Sequence, residues 1–130
     1  MNAPDKGNPV VLITGAARRI GAELARLFHR AGYRVVIHYN RAAADADKLC
    51  ESLNKKRPDS CLLVQGDLND DAGLSRIVTL INSIGSLHVL INNASSFYPT
   101  PLAQTDDNQW NDLINSNLKG PFFLCKELAP

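Results

Sequence analysis

The sequence predicts an α/β fold, a doubly wound parallel sheet with helices on both faces, and three observations carry the prediction. Short continuous apolar runs alternate, four times over, with stretches whose apolar residues recur at helical spacing. The runs are rich in Val, Ile and Leu and lack polar alternation, as expected of strands covered on both sides. Glycine, proline and short polar residues punctuate the joins, and right-handed crossovers then leave one doubly wound arrangement.

Pro9-Val10-Val11-Leu12-Ile13-Thr14 is the first run and reads as a parallel strand. After it, Ile20, Leu24, Leu27, Phe28 and Ala31 fall at helical spacing, and Gly32 stops the helix. Tyr33 to Tyr39, around Val35-Val36-Ile37, is the second strand. Ala42, Ala46, Leu49, Cys50 and Leu53 repeat the helical spacing until Pro58. Cys61-Leu62-Leu63-Val64 is the third strand, Leu74, Ile77, Val78 and Ile81 mark the third helix, and Leu87 to Ile91 the fourth strand. Trp110, Leu113, Ile114 and Leu118 predict a long last helix, entered through Thr105-Asp106-Asp107, whose short side chains can cap free N–H groups. Such a sheet is Rossmann-like, and its ligands bind beyond the carboxyl ends of the strands. Chemistry is therefore expected in residues 14–21, 38–41, 66–68 and 92–98.

The chain of 130 residues is read as one domain, with residues 1–8 as a flexible tail. Its 45% apolar and 21% charged residues are the balance of a globular protein. A net charge of +1 argues against a nucleic-acid or membrane-surface partner, and no apolar run approaches the roughly 20 residues of a membrane span. Met1 to Pro9 lacks a signal pattern. Cys50, Cys61 and Cys125 are widely spaced and read as reduced thiols of a cytoplasmic protein. His29, His38 and His88 have no ligand spacing, so no metal site is expected.

Thr14-Gly15-Ala16-Ala17-Arg18-Arg19-Ile20-Gly21 joins the first strand to the first helix. Glycines there permit a tight turn and close approach of backbone to a pyrophosphate, which the helix N-terminus attracts. The second strand ends in His38-Tyr39-Asn40-Arg41. An NAD enzyme wants a carboxylate at this point for the ribose hydroxyls, yet no acid occurs before Asp45. An arginine can instead grip a 2′-phosphate through two charged hydrogen bonds. Arg41 alone could equally be a solvated loop charge; with the glycine turn upstream and no acid nearby, NADPH is the expected cofactor. His38 is a further candidate for its phosphate.

The spacing Gly15-x-x-x-Arg19-x-Gly21 resembles the short-chain dehydrogenase/reductase family, whose pattern is Thr-Gly-x-x-x-Gly-x-Gly, with Arg19 in place of the middle glycine. An arginine also stands there in the pteridine reductases, and the resemblance implies that it contacts cofactor phosphate. It further implies that Asp67, in Gly66-Asp67-Leu68, accepts from the adenine amino group while the Leu68 N–H meets the ring. From the residues alone, Asp67 could merely start a turn. Asn92-Asn93-Ala94-Ser95 resembles the family's Asn-Asn-Ala-Gly, which supports the strand and the cofactor floor. With Ser95 replacing glycine and Ser96-Phe97-Tyr98-Pro99 following, the stretch resembles the pteridine reductase signature. Phe97 can stack on a pterin and the Ser95 hydroxyl can bond its edge, though Phe97 could also be core packing.

Asn117 falls on the apolar face of the last helix, where an amide is costly unless its hydrogen bonds are met. The resemblance implies that this asparagine, in Asn117-Leu118-Lys119-Gly120, bonds to backbone and holds a water for the catalytic lysine. The family's Tyr-x-x-x-Lys pair is absent: none of Tyr33, Tyr39 or Tyr98 has a lysine four residues on. The chain therefore reads as the front half of a longer reductase, truncated after the fourth strand and the helix that follows. As such it is expected to be inactive and poorly soluble alone, with an uncovered strand edge. The full-length protein is expected to reduce pterins, and dihydrofolate as an additional substrate, with NADPH, and to be a homo-oligomer, a dimer or tetramer. The alternatives are a 3-oxoacyl or other carbonyl reductase of the family and a silent dinucleotide-binding module.

Overall fold

The computed structural model describes residues 7–130. In chain order its elements are β1 (Val10–Ile13), α1 (Arg19–Arg30), β2 (Arg34–Tyr39), α2 (Ala43–Lys56), β3 (Cys61–Gln65), α3 (Asp71–Ile84), β4 (Val89–Ile91) and α4 (Asp107–Ile114). A π-helical turn (Asn115–Lys119) leads from α4 into α5 (Gly120–Leu128). The expected tail over residues 1–8 lies outside the described residues except for Gly7 and Asn8, which are exposed.

Side chains alternate across a strand, so a strand apolar at both parities needs cover on both faces. β1 is such a strand. Val11 and Ile13 join Val35 and Ile37 under α1 and α2, where Ala22, Ala25, Ala46, Leu49 and Leu53 meet them. Val10, Leu12 and Val36 face the other way, against Ile77 and Ile81 of α3 and Leu124 of α5. The sheet is parallel throughout, in the order β3-β2-β1-β4, with Leu12 opposite both Val36 and Leu90. β1 and β2 thus fill the centre, and each large side chain buried there contributes roughly 1.5–3 kcal/mol. No described helix is long and apolar enough to cross a membrane.

Three elements differ from expectation. On α1 the buried row is Gly21, Ala22, Ala25 and His29, while Ile20 and Leu27 are exposed. Small residues let the first turns of α1 sit directly on the β1 turn, and the larger ones are displaced sideways. The fourth strand is shorter than expected: at His88 the ring Nδ1, in place of a backbone carbonyl, accepts the Val10 N–H at 3.0 Å. The last helix is not one regular α-helix, and Trp110 and Leu118, expected inside, are exposed. Its buried residues are Ser116, Gly120 and Leu124. Gly120 decides this face: a Cβ there would stand 3.0 Å from the Leu68 carbonyl, so the helix touches the loop after β3 along the glycine side.

α3 is seated in the same manner. Asp70 caps it by accepting the Gly73 N–H at 2.6 Å, and a Cβ on Gly73 would stand 2.6 Å from the Asp67 nitrogen. Gly73→Ala should therefore lower stability by about 1–3 kcal/mol through overpacking, against the roughly 1 kcal/mol that alanine ordinarily gains in a helix. Urea unfolding of parent and variant reads the sign.

Candidate functional site

At the carboxyl end of the sheet, one buried hydroxyl ties β1 to the loop after β4. Thr14 is 1% exposed. Its Oγ1 accepts the N–H groups of Asn93 and Ala94, each at 3.0 Å, and donates to the Ile91 carbonyl. Asn93 replies through Nδ2, which donates to the carbonyls of Thr14 and Gly15 at 3.0 and 3.1 Å. Gly15 has φ +61°, and a Cβ there would meet Ala94 Cα at 2.9 Å, so the turn requires glycine twice over. Gly21 is as tightly held, with Asn93 Nδ2 2.6 Å from its would-be Cβ. Asn93, expected to touch cofactor, has its amide hydrogens committed to the turn: it builds the floor.

Arg19 has φ +52°. The backbone thus keeps the left-handed conformation that suits glycine at this point of the family pattern, at a cost of roughly 1–2 kcal/mol for an L-residue. The arginine is exposed, and so is Ile20 beside it, at 71%. Arg18 is also exposed and pairs with Asp45 in the first turn of α2. Arg41 is exposed and has no ion-pair partner among the described residues. Guanidinium groups therefore follow both β1 and β2. Two of them stand at the positive end of the α1 dipole, whose first turn holds no acid, an arrangement that favours a bound anion.

His38 corrects the sequence expectation. It is 2% exposed and faces inward as a strut between loops. Its Nδ1 accepts the Gly15 N–H at 3.1 Å and its Nε2 lies 2.7 Å from the Gly66 carbonyl, which fixes the neutral tautomer with the proton on Nε2. Both ring nitrogens are used, leaving none for a phosphate. Tyr39 is half-buried against the α1–α2 face, and Asn40 accepts twice from Gln65 Nε2, at 3.1 and 3.2 Å. Asp67 does start a turn, its Oδ1 accepting the Asn69 N–H at 2.9 Å, and the Leu68 side chain is buried.

Beyond β4, Ser95 is exposed and Phe97 is 88% exposed, so Phe97 is not core packing in this chain. The loop is clamped from the last helix. Asn117 accepts the Ser96 N–H through Oδ1 at 3.2 Å and donates to the Ser96 carbonyl through Nδ2 at 2.7 Å. Asn117 itself is exposed; its amide is satisfied by the loop and by the Leu113 carbonyl at 3.0 Å rather than buried in an apolar face. Tyr98 donates its hydroxyl hydrogen to Asp112 at 2.9 Å. Desolvation, then this bond and the charges of Asp112 and Asp106, hold the tyrosine above its ordinary pKa. Sequence reasoning missed Thr14 and Asp112 as organisers; a threonine closing an apolar strand was the available signal for the first. A hollow of about 820 Å³ runs along α1 from Ala17 to Arg30 and meets this site only at the turn.

The family model described as short chain dehydrogenase matches residues 9–130. Pteridine reductase 1 of Leishmania tarentolae is 39% identical over 153 residues, covering 93% of this chain and 53% of that protein. A short-chain type dehydrogenase/reductase of Picea abies is 34% identical, over 95% of this chain and 48% of its own length. The 3-oxoacyl-(acyl-carrier-protein) reductase FabG of Staphylococcus aureus strain Mu50 is 31% identical, over 92% and 48% respectively. The chain spans about half the length of these curated relatives.

Burial lowers the His38 pKa below the ordinary imidazole value of about 6.5, against the raising effects of the Gly66 carbonyl and Asp67. Between the lowered value and about 6.5 the unfolded chain binds more protons, so the strut's stability is complete above that window and is lost as pH falls through it. His38→Asn should flatten this acid-side loss in urea unfolding between about pH 8 and pH 5. Because His29 is buried in both proteins, the difference between the two profiles is the readout.

Proposed function

The chain belongs to the short-chain dehydrogenase/reductase family, and on that premise we propose that it forms the cofactor-binding half of an NADPH-dependent reductase of pterins. The observation that carries the substrate class is the loop after β4. It presents Ser95 and the exposed face of Phe97 beyond the strand ends, beside the turn of Gly15. A flat, polar heterocycle can lie on such a ring, offset by a few ångströms, while the serine hydroxyl bonds its edge. The identity with a pteridine reductase, higher than that with the FabG relative, supports the same reading.

The residues fit a phosphorylated dinucleotide. The Gly15 turn, which a Cβ would fill, together with Gly21 and the α1 N-terminus, would receive the pyrophosphate, with Arg19 and Ile20 exposed beside it. Arg41, together with the backbone of Tyr39 and Asn40, would hold the 2′-phosphate, and Asp45, the nearest acid, is already occupied by Arg18. Asp67 Oδ2 and the Leu68 backbone would meet the adenine, and Ala94 and Ser95 would line the nicotinamide end. When bound, NADPH supplies the hydride for reduction of a ring C=N bond. The chain's own part is to hold and orient: Asn93 keeps the floor in place and Asn117 fixes Ser96, so that Ser95 and Phe97 keep their attitude. In the full-length protein Asn117 would also hold a water for the catalytic lysine.

Two measurements on the full-length protein test this. Arg41→Asp should weaken NADPH binding by about 1–3 kcal/mol with little effect on NADH, and equal affinity of the parent for the two cofactors would sink the cofactor assignment. Phe97→Ala should raise KM for biopterin or dihydrofolate while leaving NADPH binding nearly unchanged. A variant that reduces pterins as well as the parent removes the main support for the substrate class.

A further inference from the structure

Asp112, in the middle of α4, is the point where the loop after β4 and the turn after β3 meet. Its Oδ2 accepts from the Tyr98 hydroxyl at 2.9 Å and its Oδ1 accepts from Asn69 Nδ2 at 2.7 Å. Asn69 in turn gives its N–H to Asp67 Oδ1 at 2.9 Å. Asp67, Asn69, Asp112 and Tyr98 thus form one unbroken chain of hydrogen bonds, linking the candidate adenine contact to the loop that carries Ser95 and Phe97. An ionised carboxylate only accepts, so it dictates the orientation of both partners. Tyr98 must donate, and Asn69 must present its NH₂ group. The second demand is visible as a cost: Asn69 Oδ1 is buried with no hydrogen-bond partner. The opposite amide orientation would put that oxygen against the carboxylate. Ser116, one turn on, bonds the Asp112 carbonyl at 2.9 Å and holds the aspartate's own backbone in place.

We infer that Asp112 is a positioning residue for substrate: through Tyr98 it sets the attitude of the Ser95–Phe97 loop, and through Asn69 it braces that loop against the Asp67 turn. The inference rests on the proposed substrate role of Phe97 for its kinetic consequence, but not for its structural one. The loop is otherwise held at Ser96 by Asn117 and at Ala94 by Thr14, so residues between Ser96 and Pro99 have this one side-chain anchor among the bonds of the described residues.

The test compares Asp112→Ala, Tyr98→Phe and the double variant in the full-length protein, with Asp112→Asn as the conservative replacement. Without any ligand, hydrogen exchange at the Ser96 amide should accelerate about tenfold in Asp112→Ala and in Tyr98→Phe, the scale of one lost charge-assisted bond, while amides of β1 and β2 keep the parent's rates. With biopterin as substrate, KM should rise about tenfold, with kcat and the NADPH dissociation constant within about threefold of the parent. The double variant should be no worse than Asp112→Ala, because both changes break the same bond. Asp112→Asn should recover most of the loss, since its amide can donate to the tyrosine oxygen while its carbonyl accepts from Asn69. Unchanged exchange at Ser96, or acceleration spread equally over β1 and β2, would overturn the inference. If exchange behaves as expected but no pterin is reduced by the parent, the positioning role stands and the substrate class falls.

Discussion

The bond network around the Thr14 hydroxyl is the constraint on which the site depends. β1 and the edge strand β4 can end side by side only if the backbone N–H groups of Asn93 and Ala94, just beyond the sheet, find an acceptor. Asn93 N–H also reaches the Ile91 carbonyl at 3.1 Å, whereas leaving the Ala94 N–H without an acceptor would cost about 1–3 kcal/mol. Thr14 supplies that acceptor, and Asn93 closes the circuit by holding the carbonyls of Thr14 and Gly15. The glycine turn is consequently pressed against Ala94, which is why Gly15 and Gly21 have no room for a side chain. The proposed cofactor floor and substrate shelf are therefore successive residues of one anchored segment, and a shift in either would displace the other.

Charge is distributed to match. Arg18 and Arg19 stand where the helix dipole is already positive, and the left-handed backbone at Arg19 adds strain to that repulsion. Arg18 is partly offset by its pair with Asp45, and Arg19 has no ion-pair partner among the described residues. A dianionic ligand group near the α1 N-terminus would offset the repulsion and the strain, and Arg41 extends the positive surface to the end of β2. His38, one step inward, takes no part in this electrostatics. It couples the Gly15 turn to Gly66, and so keeps the two loops that would flank an adenosine at a fixed separation. Asp112 performs the equivalent task on the other side, between the β3 turn and the loop of Phe97.

Much of the fold was legible because it rests on local periodicity. The apolar run of β1 and the spacing of Leu49 and Leu53, or Ile77 and Ile81, state their burial without reference to distant residues. Where packing depended on a close approach, periodicity misled. Ile20 and Leu118 continue apolar patterns, yet both are exposed, because Gly21 and Gly120 bring the backbone into contact on a different side of the helix. Within the site, the residue types of the glycine turn and of Ser95–Phe97 were readable as chemistry. The exposure of Phe97, which separates a shelf from a core residue, was not.

The sequence by itself determined the class of the fold, the order of its elements and the four loops where chemistry could gather, since hydrophobic spacing and glycine placement act over a few neighbouring residues. Tertiary structure decided which polar groups in those loops are spent on the scaffold and which remain for a ligand. His38 and Arg41 lie three residues apart and look equally suited to a phosphate. One is consumed by partners 23 and 28 residues away, while the other has no ion-pair partner among the described residues. Asn93 and Asn117 are likewise committed to backbone brought from β1 and from the loop after β4. A hydrogen bond is satisfied by whatever the fold carries within about 3 Å, and that proximity is set by sheet order and helix seating rather than by position in the chain.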